Sequence, residues 1–164
     1  MEKHIGFVCF GEINTPIERL NMKHDEALNV LNGMGYTVLD AGLVIDDEKY
    51  ATADAAAEKL RGYDMCCLVV CVAGWVPTHA VIRVTDHYRN IPMLLWGLCG
   101  WKENGRIITT AEQAGTTAIR PTFEALGYDF KYVYNVIGKD YPRAKLDAFI
   151  SACAARRALR DARV

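Results

Sequence analysis

Three stretches of the chain gather residue types suited to recognising a polyol. GEINTP offers Glu12 and Asn14, AGWVPTHA offers Trp75, Thr78 and His79, and GLCGWKENGR offers Trp101. An indole face stacks on the C–H face of a sugar ring, while carboxylate, amide, hydroxyl and imidazole groups bond to hydroxyls. An apolar wall with a few placed polar groups is the general pattern of a small-molecule site. Trp75 is the pivotal residue, because the small apolar run VVCVAG ends and the largest side chain follows at once. The pattern makes Trp75 a stacking platform, with His79, Trp101 and Glu12 as hydroxyl or ring contacts and both indoles exposed. Tryptophan also suits protein interfaces, so Trp75 and Trp101 fit a neighbouring domain or subunit equally well, and the two roles are compatible.

Other chemistries lack their residues. The first loop has no G-x-G-x-x-G to admit a pyrophosphate, and without those glycines Asp40 reads as a turn residue rather than a ribose acid. No G-x-x-x-x-G-K-[ST] run occurs. A phosphoacceptor domain needs an aspartate where the third strand ends, and Ala73-Gly74-Trp75 stands there, although Lys139 follows the fifth. A flavin-phosphate loop rich in Ser, Thr and Gly is replaced by Glu12-Ile13. Ser151, the only serine, lies in the last helix without an elbow motif. His79 and His87 are not an i, i+4 chelating pair. His4 and His24 read as surface or satisfied residues and His87 as structural. Asp46-Asp47-Glu48 reads as a solvated helix start, where acids suit the dipole.

The six cysteines form no C-x-x-C pair and no zinc-spaced cluster. Cys9, Cys66, Cys67 and Cys71 sit in apolar runs, where a thiol acts as a small hydrophobe. Adjacent Cys66 and Cys67 point to opposite faces of a strand. This usage, and Met1-Glu2-Lys3-His4 running straight into a strand, predict a reducing, cytoplasmic setting without a signal peptide. No apolar run approaches the ~20 residues that span a bilayer. A net charge of -1 gives no reason to expect nucleic acid or an anionic membrane. From Lys139 onward seven Lys/Arg face three Asp, which reads as a solvated basic helix.

The elements that must position these loops alternate from end to end over the 164 residues of one domain. Strands are expected at His4–Gly11, Tyr36–Ala41, Met65–Val72, Pro92–Gly97 and Phe130–Val136. Helices are expected from Ile17 to the Gly33–Gly35 stop, over Tyr50–Leu60, over His79–Tyr88, from Thr109 to Gly127, and from Pro142 to the end. Thr109-Thr110-Ala111-Glu112 has capping-box spacing, and Pro121 should kink or split its helix. The fold expected is therefore a three-layer, Rossmann-like α/β domain with a five-stranded parallel sheet in flavodoxin-like order 2-1-3-4-5. Ligands in such sheets sit beyond the carboxyl ends of the strands, where Gly11–Pro16, Ala73–His79 and Gly97–Arg106 fall.

The run from Asp64 to Gly138 also resembles a family. Its strand-three tryptophan, its PMLLWG fourth strand and its TTAEQAGTT helix start resemble the amino-terminal domain of L-fucose isomerase-like proteins, in the L-fucose/L-arabinose isomerase superfamily. The likeness covers essentially the whole chain. It implies an amino-terminal domain of a longer, multidomain aldose–ketose isomerase, a Mn²⁺-dependent enzyme that moves a proton through an enediol. It also implies a homo-oligomer in which this domain caps a sugar site shared with a neighbouring subunit, and Trp75 matches the aromatic after the third strand. An arginine that the fucose isomerases offer from the first loop has no counterpart, since Glu12-Ile13 stand there. The family's carboxylate and histidine metal ligands lie in a carboxyl-terminal domain, so this chain by itself is expected to bind no metal and to isomerise nothing. The alternative is a stand-alone sugar- or protein-binding module.

Overall fold

The strand with no polar face lies in the middle of the sheet. In β3 (Cys67–Val72) every residue is buried, as a strand covered on both sides requires. β1 (His4–Gly11) and β4 (Met93–Cys99) flank it and are nearly as dry. β2 (Thr37–Ile45) and β7 (Phe130–Val136) form the edges. The order β2-β1-β3-β4-β7 is parallel throughout, so the chain has the three-layer, Rossmann-like α/β fold with flavodoxin-like strand order. The computed structural model describes residues 3–162. Met1 and Glu2, which the sequence places before the first strand, and the last two residues of the chain lie outside them.

Helices α1 (Ile17–Asn32) and α5 (Arg143–Asp161) cover one face, packing Leu20, Ala27, Leu31, Leu146 and Ile150 on Ile5, Phe7 and Trp96. On the other face, α2 (Ala51–Leu60), α3 (Thr78–Thr85) and α4 (Glu112–Ala125) pack Leu60, Val81, Ile119 and Phe123 on Val8, Phe10 and Leu95. All six cysteines are buried and unpaired, which agrees with the reading of Cys9, Cys66, Cys67 and Cys71 as small hydrophobes. Among the described residues, no helix is long and apolar enough to cross a membrane.

Four departures from the sequence expectation have physical causes. β2 runs four residues beyond Ala41, because a bulge at Ala41-Gly42 re-registers it against β1: Phe7 faces Asp40, but Cys9 faces Leu43. Gly42 takes φ 94° there, and its N–H donates to Asp40 Oδ1 at 2.8 Å. The fourth segment does not end in a plain loop; it folds back as the antiparallel hairpin of β5 (Trp101–Glu103) and β6 (Arg106–Ile108). Pro121 does not split α4, which is continuous from Glu112 to Ala125. The carbonyl deprived of its N–H belongs to exposed Thr117, where solvent can replace the lost bond. Finally, the capping box at Thr109 does not form. Ala111 adopts a left-handed conformation, α4 begins at Glu112, and the glutamate turns into the protein.

Candidate functional site at the carboxyl edge of the sheet

β1 and β3 end side by side, with Phe10 opposite Val72 and the Ala73 N–H bonded to Phe10 O at 2.8 Å. Their loops leave in different directions, since α1 and α3 lie on opposite faces of the sheet. That divergence opens the crevice in which ligands of this fold class bind. Leu20 of α1 closes its floor. A Cβ added at Gly11 would come within 2.4 Å of Leu20 Cδ2, and one at Gly74 within 3.2 Å, so the end of β1 and the loop after β3 both press closely onto that leucine.

Trp75 stands on this edge with its side chain outward, 38% exposed, while the next residue, Val76, is buried and anchors the loop. The Trp75 N–H donates to Thr110 O at 2.7 Å. Behind it, Gly115 of α4 approaches so closely that a Cβ would lie 3.2 Å from Gly74 O and 3.5 Å from the Trp75 Cα. The backbone beneath the indole is thus fixed on two sides while the ring faces out. His79, in the first turn of α3, is also exposed and meets Tyr50 edge-on, with ring centroids 5.7 Å apart. Half-buried Glu12 accepts a bond from Asn14 Nδ2 at 3.3 Å, and Asp46 Oδ1 ties the same loop down through the Ile13 N–H at 2.7 Å. Glu12 and Trp75, on loops that follow two adjacent strands, and His79, in the helix turn just after the second loop, therefore share one edge of the sheet.

Trp101 does not join them as an exposed wall. Only 7% of it is accessible. Its ring lies under the Arg19 guanidinium at 5.0 Å and the Lys23 ammonium at 5.5 Å, and its Nε1–H donates to Glu103 Oε2 at 2.9 Å. Arg19 pairs with the same carboxylate at 3.0 Å. The indole is a pier between the hairpin and α1, because the β5–β6 turn folds it inward rather than leaving it on an open loop.

Beneath that pier lies a polar network that the sequence reading missed. Lys23 Nζ, inaccessible to solvent, reaches Leu98 O at 2.8 Å, Thr110 Oγ1 at 2.9 Å and Glu112 Oε2 at 3.1 Å. Glu112 Oε2 also accepts the Thr110 N–H at 2.9 Å, and Oε1 accepts the Gly100 N–H. The Thr110 hydroxyl bonds Ala73 O and so joins this network to the loop that carries Trp75. Burial lowers the Lys23 pKa against the opposing pull of Glu112. For Glu112, burial pushes the pKa up, but the Lys23 charge and backbone N–H bonds outweigh it and leave the carboxyl below its usual range. A signal was present: Lys23 occupies the core stripe of α1 between Leu20 and Ala27, a place for an apolar residue unless the charge is paired.

The Mn²⁺ implied by the family resemblance finds no fitting donor set here. Asp47 spends both oxygens on the start of α2, on the Ala51 and Thr52 N–H groups and the Thr52 hydroxyl, which hold its pKa down to about 2. Asp46 is engaged by Ile13. Among the described residues, no group of three or more His, Cys, Asp or Glu side chains is arranged to hold a metal ion.

The fold is an α/β domain whose strand order places the switch point between β1 and β3 at this carboxyl edge, where ligands of this fold class bind. No family model matches the chain, and no curated protein matches it.

Proposed function

We propose that this chain is the sugar-capping and subunit-contacting domain of an aldose–ketose isomerase of the L-fucose/L-arabinose isomerase type. The observation that carries the reading is Trp75: an indole displayed beyond the carboxyl edge of a parallel sheet, with its backbone clamped by Thr110 and Gly115. A stacking platform needs that combination, since a rigid apolar face loses little conformational entropy when a ring settles on it. Glu12 and His79 supply hydroxyl partners from the same edge. Trp101 supports the hairpin instead of touching the sugar. The chain provides walls and hydrogen bonds; proton transfer and metal binding are assigned to none of its residues. The open face of Trp75 is the place for a second polypeptide segment of a homo-oligomer to complete the site.

Of the three tryptophans, Trp96 and Trp101 are buried, so sugar-dependent fluorescence reports on Trp75. Titration with aldoses and ketoses, including L-fucose and L-arabinose, should change the emission of the wild type and leave Trp75→Ala unchanged. In the Mn²⁺-supplemented enzyme assembled from whatever length of chain its gene encodes, Trp75→Ala should raise KM roughly tenfold or more, about the loss of one good stacking contact. Unaltered kinetics with an intact oligomer would remove Trp75 from the site. Binding without any isomerisation would favour the stand-alone module.

A further inference from the structure

At the opposite, amino-terminal end of the sheet, α5 crosses the entrance of β3 and leaves a cleft of about 380 Å³. Cys66 and Cys153 both line it, along with Met65, Pro92, Arg156 and Arg157. Cys66 also lines a second, smaller opening of about 230 Å³, which Arg157 borders as well. It precedes the first residue of β3 and is only 7% accessible, yet it borders both openings. Cys67, fully buried, follows Cys66 in the chain and belongs to the same core cluster as Cys66 and Cys153. Three thiols thus gather at this end of the core, and two of them line one cleft.

We propose that this cleft is a thiol-oxidation site, at which a small hydroperoxide oxidises Cys66 and Cys153 then closes a disulfide with it. The Cys66 sulfur attacks one peroxide oxygen, the O–O bond breaks, and the alcohol or water leaves with a proton from solvent. Cys66 becomes a sulfenic acid and the peroxide is reduced by two electrons. The Cys153 sulfur then attacks the Cys66 sulfur, the S–O bond breaks, and water departs. One peroxide is consumed per disulfide, and the protein loses two hydrogens.

The surroundings suit the first step. The thiolate is the reactive form, and it is favoured beside a cation. Arg157 is held over this end of the sheet by Met65 O at 2.8 Å and by Asp64 and Asp161. The neighbouring Cys67 thiol, opposed by burial and helped by backbone N–H groups and Arg157, lowers the Cys66 pKa to about 7. Cys99, at the other end of the sheet, is pushed to about 11 by burial. The product would staple α5 to the start of β3, two elements that otherwise meet only through side chains.

One equivalent of hydrogen peroxide followed by alkylation, digestion and non-reducing mass spectrometry tests this. The expected product is a single cross-link between the Cys66-Cys67 peptide and the Cys153 peptide. Cys67→Ala should retain it, which assigns it to Cys66. Cys153→Ser should stop at a sulfenic acid trapped by dimedone. Cys66→Ser should abolish the link and slow peroxide consumption roughly tenfold or more, with its circular dichroism unchanged. If a variant fails to fold, fragment-ion sequencing of the wild-type cross-link decides, because it places the bond on Cys66 or on Cys67. Oxidation spread evenly over Cys9, Cys71 and Cys99, or a cross-link that survives in Cys66→Ser, would overturn the proposal.

Discussion

Lys23 and Glu112 meet 3.1 Å apart, with neither side chain accessible to solvent, and they join α1 to the start of α4 across the carboxyl edge of the sheet. Around them, Leu98 O, Thr110 and the Gly100 N–H satisfy the remaining hydrogen-bonding capacity. A charge pair buried this completely is retained only when its polar atoms are matched, because each ion has given up its hydration. The consequence is positional. The pair settles where the β5–β6 hairpin and the Trp75 loop can lie.

Removing one partner leaves the other charge stranded. Lys23→Met or Glu112→Leu should each cost about 3–5 kcal/mol, whereas the two substitutions together should recover much of that loss. Urea denaturation of the two single variants and the double variant measures the coupling. Strict additivity of the two losses would show that the pair does not act as a unit.

The two tryptophans of the edge should behave in opposite ways. Trp101→Ala empties a buried site under Arg19 and Lys23 and should cost about 3–5 kcal/mol. Trp75→Ala removes an outward ring and should cost under about 1 kcal/mol. Thermal melts of the two variants decide this, and equal losses would contradict the contrast in burial.

Gly100 has φ 23°, and a Cβ there would lie 2.8 Å from Ile108 O. Gly100→Ala must therefore shift the hairpin backbone and stretch the bond from the Gly100 N–H to Glu112. A loss of about 2–4 kcal/mol is expected from the overlap and the disturbed acceptor together. Gly105, at the hairpin tip with nothing near its would-be Cβ, is the control for conformational strain alone.

His24 predicts an alkaline loss of stability. Its ring bridges Asp40 at 3.1 Å and Asp25 at 2.9 Å, and the Asp40 bond, opposed by burial, raises its pKa to about 9. A folded-state pKa above the unfolded value of 6.5 means that the contribution is complete below pH 6.5 and disappears as pH rises to about 9. The pKa of Asp40 is lowered: burial alone would raise it, but the His24 bond and the Gly42 N–H prevail. Its contribution is present above the ordinary carboxylate range and lost on acidification. The unfolding free energy from denaturant melts between pH 6 and 9.5 should fall by an amount on the order of 2–3 kcal/mol in the wild type, and the slope should flatten in His24→Ala.

Much of the architecture was legible in the residues. Uninterrupted apolar runs such as CLVVCV could only be strands buried on both faces, and their alternation with helical stripes led to a parallel sheet. The crevice followed from that topology, and with it the positions of Glu12, Trp75 and His79. Hidden from the sequence was which way each polar side chain turned. Trp75 and Trp101 both stand near glycines, yet one faces out and the other lies beneath two cations. Glu112 had the spacing of a helix cap and became the partner of a buried lysine 89 positions earlier in the chain. Asp40 read as a turn residue but lies inside β2, where its carboxylate accepts the Gly42 N–H of the bulge and holds His24.

The division has a physical basis. Periodicity and turn chemistry act between neighbours in the chain, so the residues by themselves determined the elements, their order and the edge at which loops gather. Charge pairing, thiol contacts and the facing of an indole depend on groups dozens of positions apart, whose meeting carries no local signature. Those were decided only when α1, the hairpin and α4 closed over the end of the sheet, and when α5 crossed its beginning.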